Sequence, residues 1–163
     1  MGIDARAISS ALPKHWFPGK SLSANRKTLE KTAQSWADAR DLGPLFQLIS
    51  LSETSLEIGV VPICDPIRFN FQDNRLAVSL RSSNAGPGYH AAVIDMLDKI
   101  AQSLSVTWHR VASNGEMLDE TGFATGRDFA ALQARMAVFL GQLCKTIAFD
   151  ADDDSDHLRK VTF

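Results

Sequence analysis

The sequence predicts an α+β fold: an antiparallel sheet of four to five strands, two main amphipathic helices packed on one face, and a peripheral N-terminal helix. Three observations predict it. Residues 67–80, IRFNFQDNRLAVSL, alternate apolar and polar on both sides of Asp73-Asn74, as a two-residue hairpin requires. Residues 89–104 and 129–147 each repeat apolar side chains at the 3–4 spacing of one helical face. The strands run together instead of alternating with helices, so the sheet is antiparallel and the helices gather on one side.

In chain order, residues 1–24 read as an irregular arm punctuated by Pro13, Pro18 and Gly19. The pair Trp16-Phe17 in this polar stretch is either an anchor that packs back onto the body or a contact for a partner. Asn25 is placed to cap a helix running to about residue 40, with Leu29, Ala33, Trp36 and Ala37 on a narrow stripe, hence its peripheral assignment. Gly43-Pro44 ends that helix. Residues 45–51 and 56–61 read as strands, with a turn at Glu53-Thr54-Ser55.

The 67–80 hairpin has a register that arithmetic sets. A loop at Asp73-Asn74 pairs Phe71 with Leu76, Phe69 with Val78 and Ile67 with Leu80 on one face. Gln72–Arg75, Asn70–Ala77 and Arg68–Ser79 take the other, and a slip of one residue destroys the segregation. After the breakers Gly86, Pro87 and Gly88, a helix over 89–104 carries Tyr89, Val93, Met96, Leu97, Ile100 and Leu104 on its stripe, with His90 flanking it. Residues 105–111 read as a short strand and 116–127 as a polar loop. Asp128 caps the last helix, striped by Phe129, Leu132, Met136, Phe139, Leu140, Leu143 and Ile147. The domain spans 25–149. Residues 150–163 read as an acidic linker, with five aspartates in 150–156, and a tail that is either an edge strand or loose.

Composition narrows the function classes. The 163-residue chain is 45% hydrophobic, 22% charged, and carries a net charge of -2. It is long enough to bury a core without staples. It lacks the basic excess of a nucleic-acid binder, and no apolar run reaches the roughly 20 residues of a membrane span. Its beginning resembles neither a signal peptide nor a myristoylation site, so the cytoplasm is the expected compartment. Residues 1–40 hold seven basic and three acidic side chains, while residues 114–163 hold five basic and nine acidic. The acidic end suits a protein partner with a basic surface.

Cofactor and metal chemistry find no footing. Cys64 and Cys144 lack CxxC spacing and read as buried thiols, and His15, His90, His109 and His157 lack metal-ligand spacing. No cofactor and no metal are expected.

Two readings of function remain. The first is a small protein-interaction module without catalysis of its own, such as an immunity or antitoxin-type inhibitor, an adaptor or a complex subunit. Its contacts would be Trp16, Phe17 and the wet hairpin face of Arg68, Asn70 and Arg75. The second is an enzyme or anion-binding domain. Free amides at a helix start attract anions, so Gly86, Gly88, Tyr89 and His90 are its ligand-binding candidates. The catalytic candidates are His90, His109, Asp119 and Glu120, because a histidine base needs an orienting carboxylate. Pro87 removes an amide donor from the loop and no lysine follows, so this loop is not a phosphate loop.

Overall fold

The computed structural model describes residues 4–12, 20–62, 64–83, 85–109 and 119–159. The hairpin forms in the register that its side chains dictate: β4 (Ile67–Gln72) and β5 (Arg75–Arg81) pair Gln72 with Arg75, Phe71 with Leu76 and Phe69 with Val78. Asp73 and Asn74 have φ of 49° and 59°, the left-handed pair of a type I′ turn, whose twist matches the strands. β2 (Gln47–Ser50) and β3 (Ser55–Gly59) form the preceding antiparallel pair.

Among the described residues the sheet has six strands, one more than the upper expectation, in the order β2-β3-β4-β5-β1-β6, and every neighbouring pair is antiparallel. The addition is β1 (Asp4–Ser9), within the stretch read as an irregular arm. Its inward residues are Ala5, Ala7 and Ser9, too small to mark an apolar face in the sequence. Long-range pairing with β5 makes the strand. Buried Ser9 accepts the Leu76 amide on its hydroxyl at 2.8 Å, so a side chain supplies a ladder bond there. Of the strand expected over 105–111, β6 (Trp108–His109) forms; Ser105 ends the preceding helix, 106–107 lie in no strand, and 110–111 lie outside the described residues. Trp16, Phe17 and residues 110–118 lie outside the described residues.

The helices cover the inner face of the sheet, where Leu56, Ile58, Ile67, Phe69 and Leu76 have no exposed surface. Their roles depart from expectation. α1 (Lys20–Asp38) starts before Asn25, so Asn25 is not its cap but a buried residue within it, and its Nδ2 has no partner among the described residues. α1 is also not peripheral: Leu29, Ala33 and Ala37 are fully buried and Trp36 nearly so. It packs on α2 (Gly86–Leu104), where Trp36 Nε1 donates to Asp95 Oδ2 at 3.0 Å and Arg40 stacks 4.6 Å over the Trp36 ring while pairing with Asp95. After the short α3 (Phe123–Gly126), α4 (Phe129–Arg159) begins on its expected cap, with Asp128 Oδ1 accepting the Ala131 amide at 3.0 Å. It packs on the other side of α2.

α4 departs from expectation in two ways. Its helix continues through the aspartates read as a linker, so no strand forms over 157–159, and 160–163 lie outside the described residues. At 1.5 Å per residue its 31 residues run about 46 Å, against about 28 Å for the 19 of α2. The helix therefore outruns the body, and only Leu132 and Met136 of its stripe are buried. Cys144 on α4 is exposed and Cys64 is half-buried; both are unbonded, and neither is the fully buried thiol expected. Among the described residues, no helix is long and apolar enough to cross a membrane.

Candidate functional site

β5 ends at Arg81, and a turn closed by the Ala85 amide on the Ser82 carbonyl leads into α2. Gly86 has a φ of 80°, which any side chain would strain. Its need is conformational and not spatial, since a Cβ on Gly86 or on Gly88 would meet nothing within 4 Å. Pro87 occupies the first turn of α2, where a missing amide costs no helical bond. This geometry makes strand end and helix start a fixed corner, and His90 emerges on its inner side.

His90 is fully buried, not at the rim of the helix. With α1 on one side of α2 and α4 on the other, the buried arc widens to include Ile94 and Ala101 as well as the expected stripe, and His90 falls inside it. Its Nδ1 lies 2.8 Å from Ser82 Oγ. Its Nε2 lies 3.2 Å from Thr121 Oγ1 and 3.4 Å from Asp119 Oδ1. The Phe123 ring meets the imidazole edge-on, 6.1 Å between centroids.

The far side of this contact comes from residues 119–127. Asp119 bridges to Ala5 of β1, and the Glu120 amide donates to the Asp4 carbonyl at 3.3 Å, so the segment is tied to the sheet. Asp119 Oδ1 accepts from the Thr121 amide at 2.9 Å and the Thr121 hydroxyl at 2.7 Å; Oδ2 accepts from the Ala124 amide at 2.7 Å. Thr121 Oγ1 accepts in turn from the Phe123 amide at 3.1 Å. One proton assignment satisfies the set: a hydrogen on His90 Nε2 directed to Thr121 and Asp119, with Nδ1 accepting from the Ser82 hydroxyl. Burial alone would push Asp119 up. The bond from His90 and those from Ala124 and Thr121 outweigh it, holding the carboxyl well below the usual carboxylate range.

Serine, histidine and aspartate are the residue types of a nucleophilic triad, but here they are sealed. Ser82 and His90 have no exposed surface, Asp119 is 1% exposed and Thr121 5%. The cavity beside Asp119, lined by Ala5, Leu80, Ile94, Leu97 and Ala124 among others, has a volume of about 10 Å³. That is room for a single water and not for a substrate. In this conformation the network works as a clasp joining strand end, helix start and the 119–127 segment.

The other candidates lie elsewhere. Glu120 is exposed and accepts the Asp4 amide at 3.2 Å, and His109 is exposed on β6 opposite Ile8; neither joins His90. Tyr89 is partly buried against the core, and its hydroxyl has no partner among the described residues. Burial, then Cys64 and Asp65, push that hydroxyl up to about 12. Arg68, Asn70 and Arg75 are exposed on the outer sheet face, as the hairpin register requires, and Arg68 Nε pairs with Glu57 at 2.6 Å. The sequence nominated His90 and Asp119 as catalytic candidates, but neither Ser82 nor Thr121. The Asp-x-Thr pattern was a signal for Thr121, because an aspartate accepting the amide two residues on makes a local turn.

A second feature is the surface of α4. At 100° per residue, Phe129, Leu140 and Ile147 fall within about 20° of one line. They are 42%, 47% and 59% exposed. On another side of the helix a groove of about 350 Å³ is lined by Glu120, Thr121, Ala134, Arg135, Val138 and Phe139. Arg135 donates to the Glu120 carbonyl at 2.9 Å across its base.

Comparison of the chain with protein-family models, with curated proteins and with solved structures finds no match.

Proposed function

We propose that the chain is a protein-interaction module without catalysis of its own, of the kind that immunity or antitoxin-type inhibitors, adaptors and complex subunits represent. The observation that carries this reading is the exposed apolar line Phe129, Leu140 and Ile147 on a helix that outruns its own domain. Water-facing apolar rows on a helix suit a partner groove. The same helix continues through residues 150–156, a stretch that holds five aspartates. The partner is therefore a protein whose apolar groove is flanked by basic residues, and opposite charge aids the encounter. The sealed His90 network supports the same reading, since a buried, fully bonded histidine holds structure without offering a base to a ligand.

The test is affinity purification of the tagged chain from its native host, beside a Leu140→Glu/Ile147→Glu variant and His90→Ala. A stoichiometric protein partner is expected with the parent chain, weakened by salt and lost with the double variant. Retention of that partner by the double variant, or an enzymatic activity of the isolated chain that His90→Ala abolishes, overturns the proposal.

A further inference from the structure

Of the two edge strands, β6 runs directly into residues outside the described ones, so the edge that can be read is β2. β2 is short but lacks the charged residues and the proline that usually blunt an edge. Residues 44–52, PLFQLISLS, contain no charge, and no proline falls within the strand. Leu45, Leu48, Ile49 and Leu51 are each between 42% and 55% exposed. Leu48 pairs with Ile58 on the inner face and Ile49 with Glu57 on the outer, so the edge is apolar on both sides.

The hydrogen bonding of β2 leaves a template. The Leu51 amide donates to the Ser55 carbonyl at 3.1 Å, and Gln47 and Ile49 stand in the same register opposite Gly59 and Glu57. Alternation in an antiparallel ladder then turns the amides and carbonyls of Leu48 and Ser50 away from β3. We infer that β2 pairs antiparallel with β2 of a second copy of this chain, joining two sheets across a two-fold axis at Ile49. Pairing about Ile49 sets Leu48 against Ser50 and Gln47 against Leu51, so no charge within the strand opposes self-pairing. The two-fold puts Ile49 opposite its own copy on the outer face and exchanges the free bonds of Leu48 and Ser50. The surface is separate from α4 and does not rest on the function proposed above. One short strand is a small interface, so the product is a monomer–dimer equilibrium and not a permanent dimer.

The experiment is sedimentation equilibrium of the purified full chain over about 1–200 µM, a span that brackets the affinity of a small interface. The mass should rise from 17.8 kDa toward twice that value with concentration. Ile49→Lys sets like charges together at the axis. Ser50→Pro removes an outward amide without touching the β3 ladder, and it decides the matter if Ile49→Lys does not fold. Both should remain monomeric, while Leu140→Glu/Ile147→Glu should dimerise as the parent does. A parent that stays monomeric throughout, or a dimer that survives both β2 variants or is lost only in the α4 variant, overturns the inference.

Discussion

α1 and α4 invert what their sequences advertise. α1 is polar on average, with a narrow stripe of Leu29, Ala33, Trp36 and Ala37, and it buries all four against the rest of the fold. α4 carries a seven-residue apolar stripe and buries only Leu132 and Met136 of it. Small residues explain the first: Ala33 and Ala37 let the helix approach α2 closely, and Trp36 fills the space beside them with its indole nitrogen bonded to Asp95. Length explains the second, since α4 runs on past the turns that bury Leu132 and Met136, and Leu140 and Ile147 beyond them are exposed. An apolar stripe thus records that a face is to be covered, without recording by what.

The largest expected effect tests the α1 half of that comparison. Trp36→Ala should cost about 3–5 kcal/mol in urea unfolding, by loss of the ring and of the Asp95 bond. A loss below about 1 kcal/mol would return α1 to the periphery.

Asp119→Asn should follow, at about 3 kcal/mol at pH 7, because it breaks a buried hydrogen-bonded pair and loosens the segment that leads into α4. The sign with pH follows from the lowered folded-state value of Asp119. Above the unfolded value of about 3.9 the carboxylate stabilises in full, and that contribution is lost as pH falls toward the folded value. Unfolding at pH 7, 4 and 3 should therefore show the gap between parent and variant narrowing on acidification. A gap that widens instead would mean that Asp119 is not held as a carboxylate.

Smaller still is Tyr89→Phe. Removing a buried hydroxyl with no described partner should leave stability unchanged or raise it by up to about 1 kcal/mol in the same measurement. At the bottom of the scale, Leu140→Glu/Ile147→Glu should change stability by no more than about 0.5 kcal/mol while abolishing partner capture. Were it to unfold the protein, α4 would be a core helix after all and the contrast with α1 would vanish.

What could be read from the sequence was what short range controls. The β4–β5 register follows from six alternating residues on each side of a turn, and Asp73-Asn74 took the left-handed angles such a turn requires. The α2 stripe was legible for the same reason, as was the Asp128 cap. β1 was not, because Ala5, Ala7 and Ser9 show no apolar alternation until β5 offers them an edge. His90 and Asp119 could be nominated by residue type. Their meeting, with Ser82 and Thr121 between and beside them, joins segments about thirty residues apart, and no local pattern encodes that.

The chain by itself determined its periodicities: the period of two that makes the hairpin and the 3–4 spacing that makes α2 and α4, since both arise from backbone geometry. Tertiary structure decided which apolar faces meet. The hydrophobic effect has no direction, so the same driving force sinks a thin stripe on α1, seals His90 on the flank of α2, and leaves α4 and the β2 edge open to another molecule.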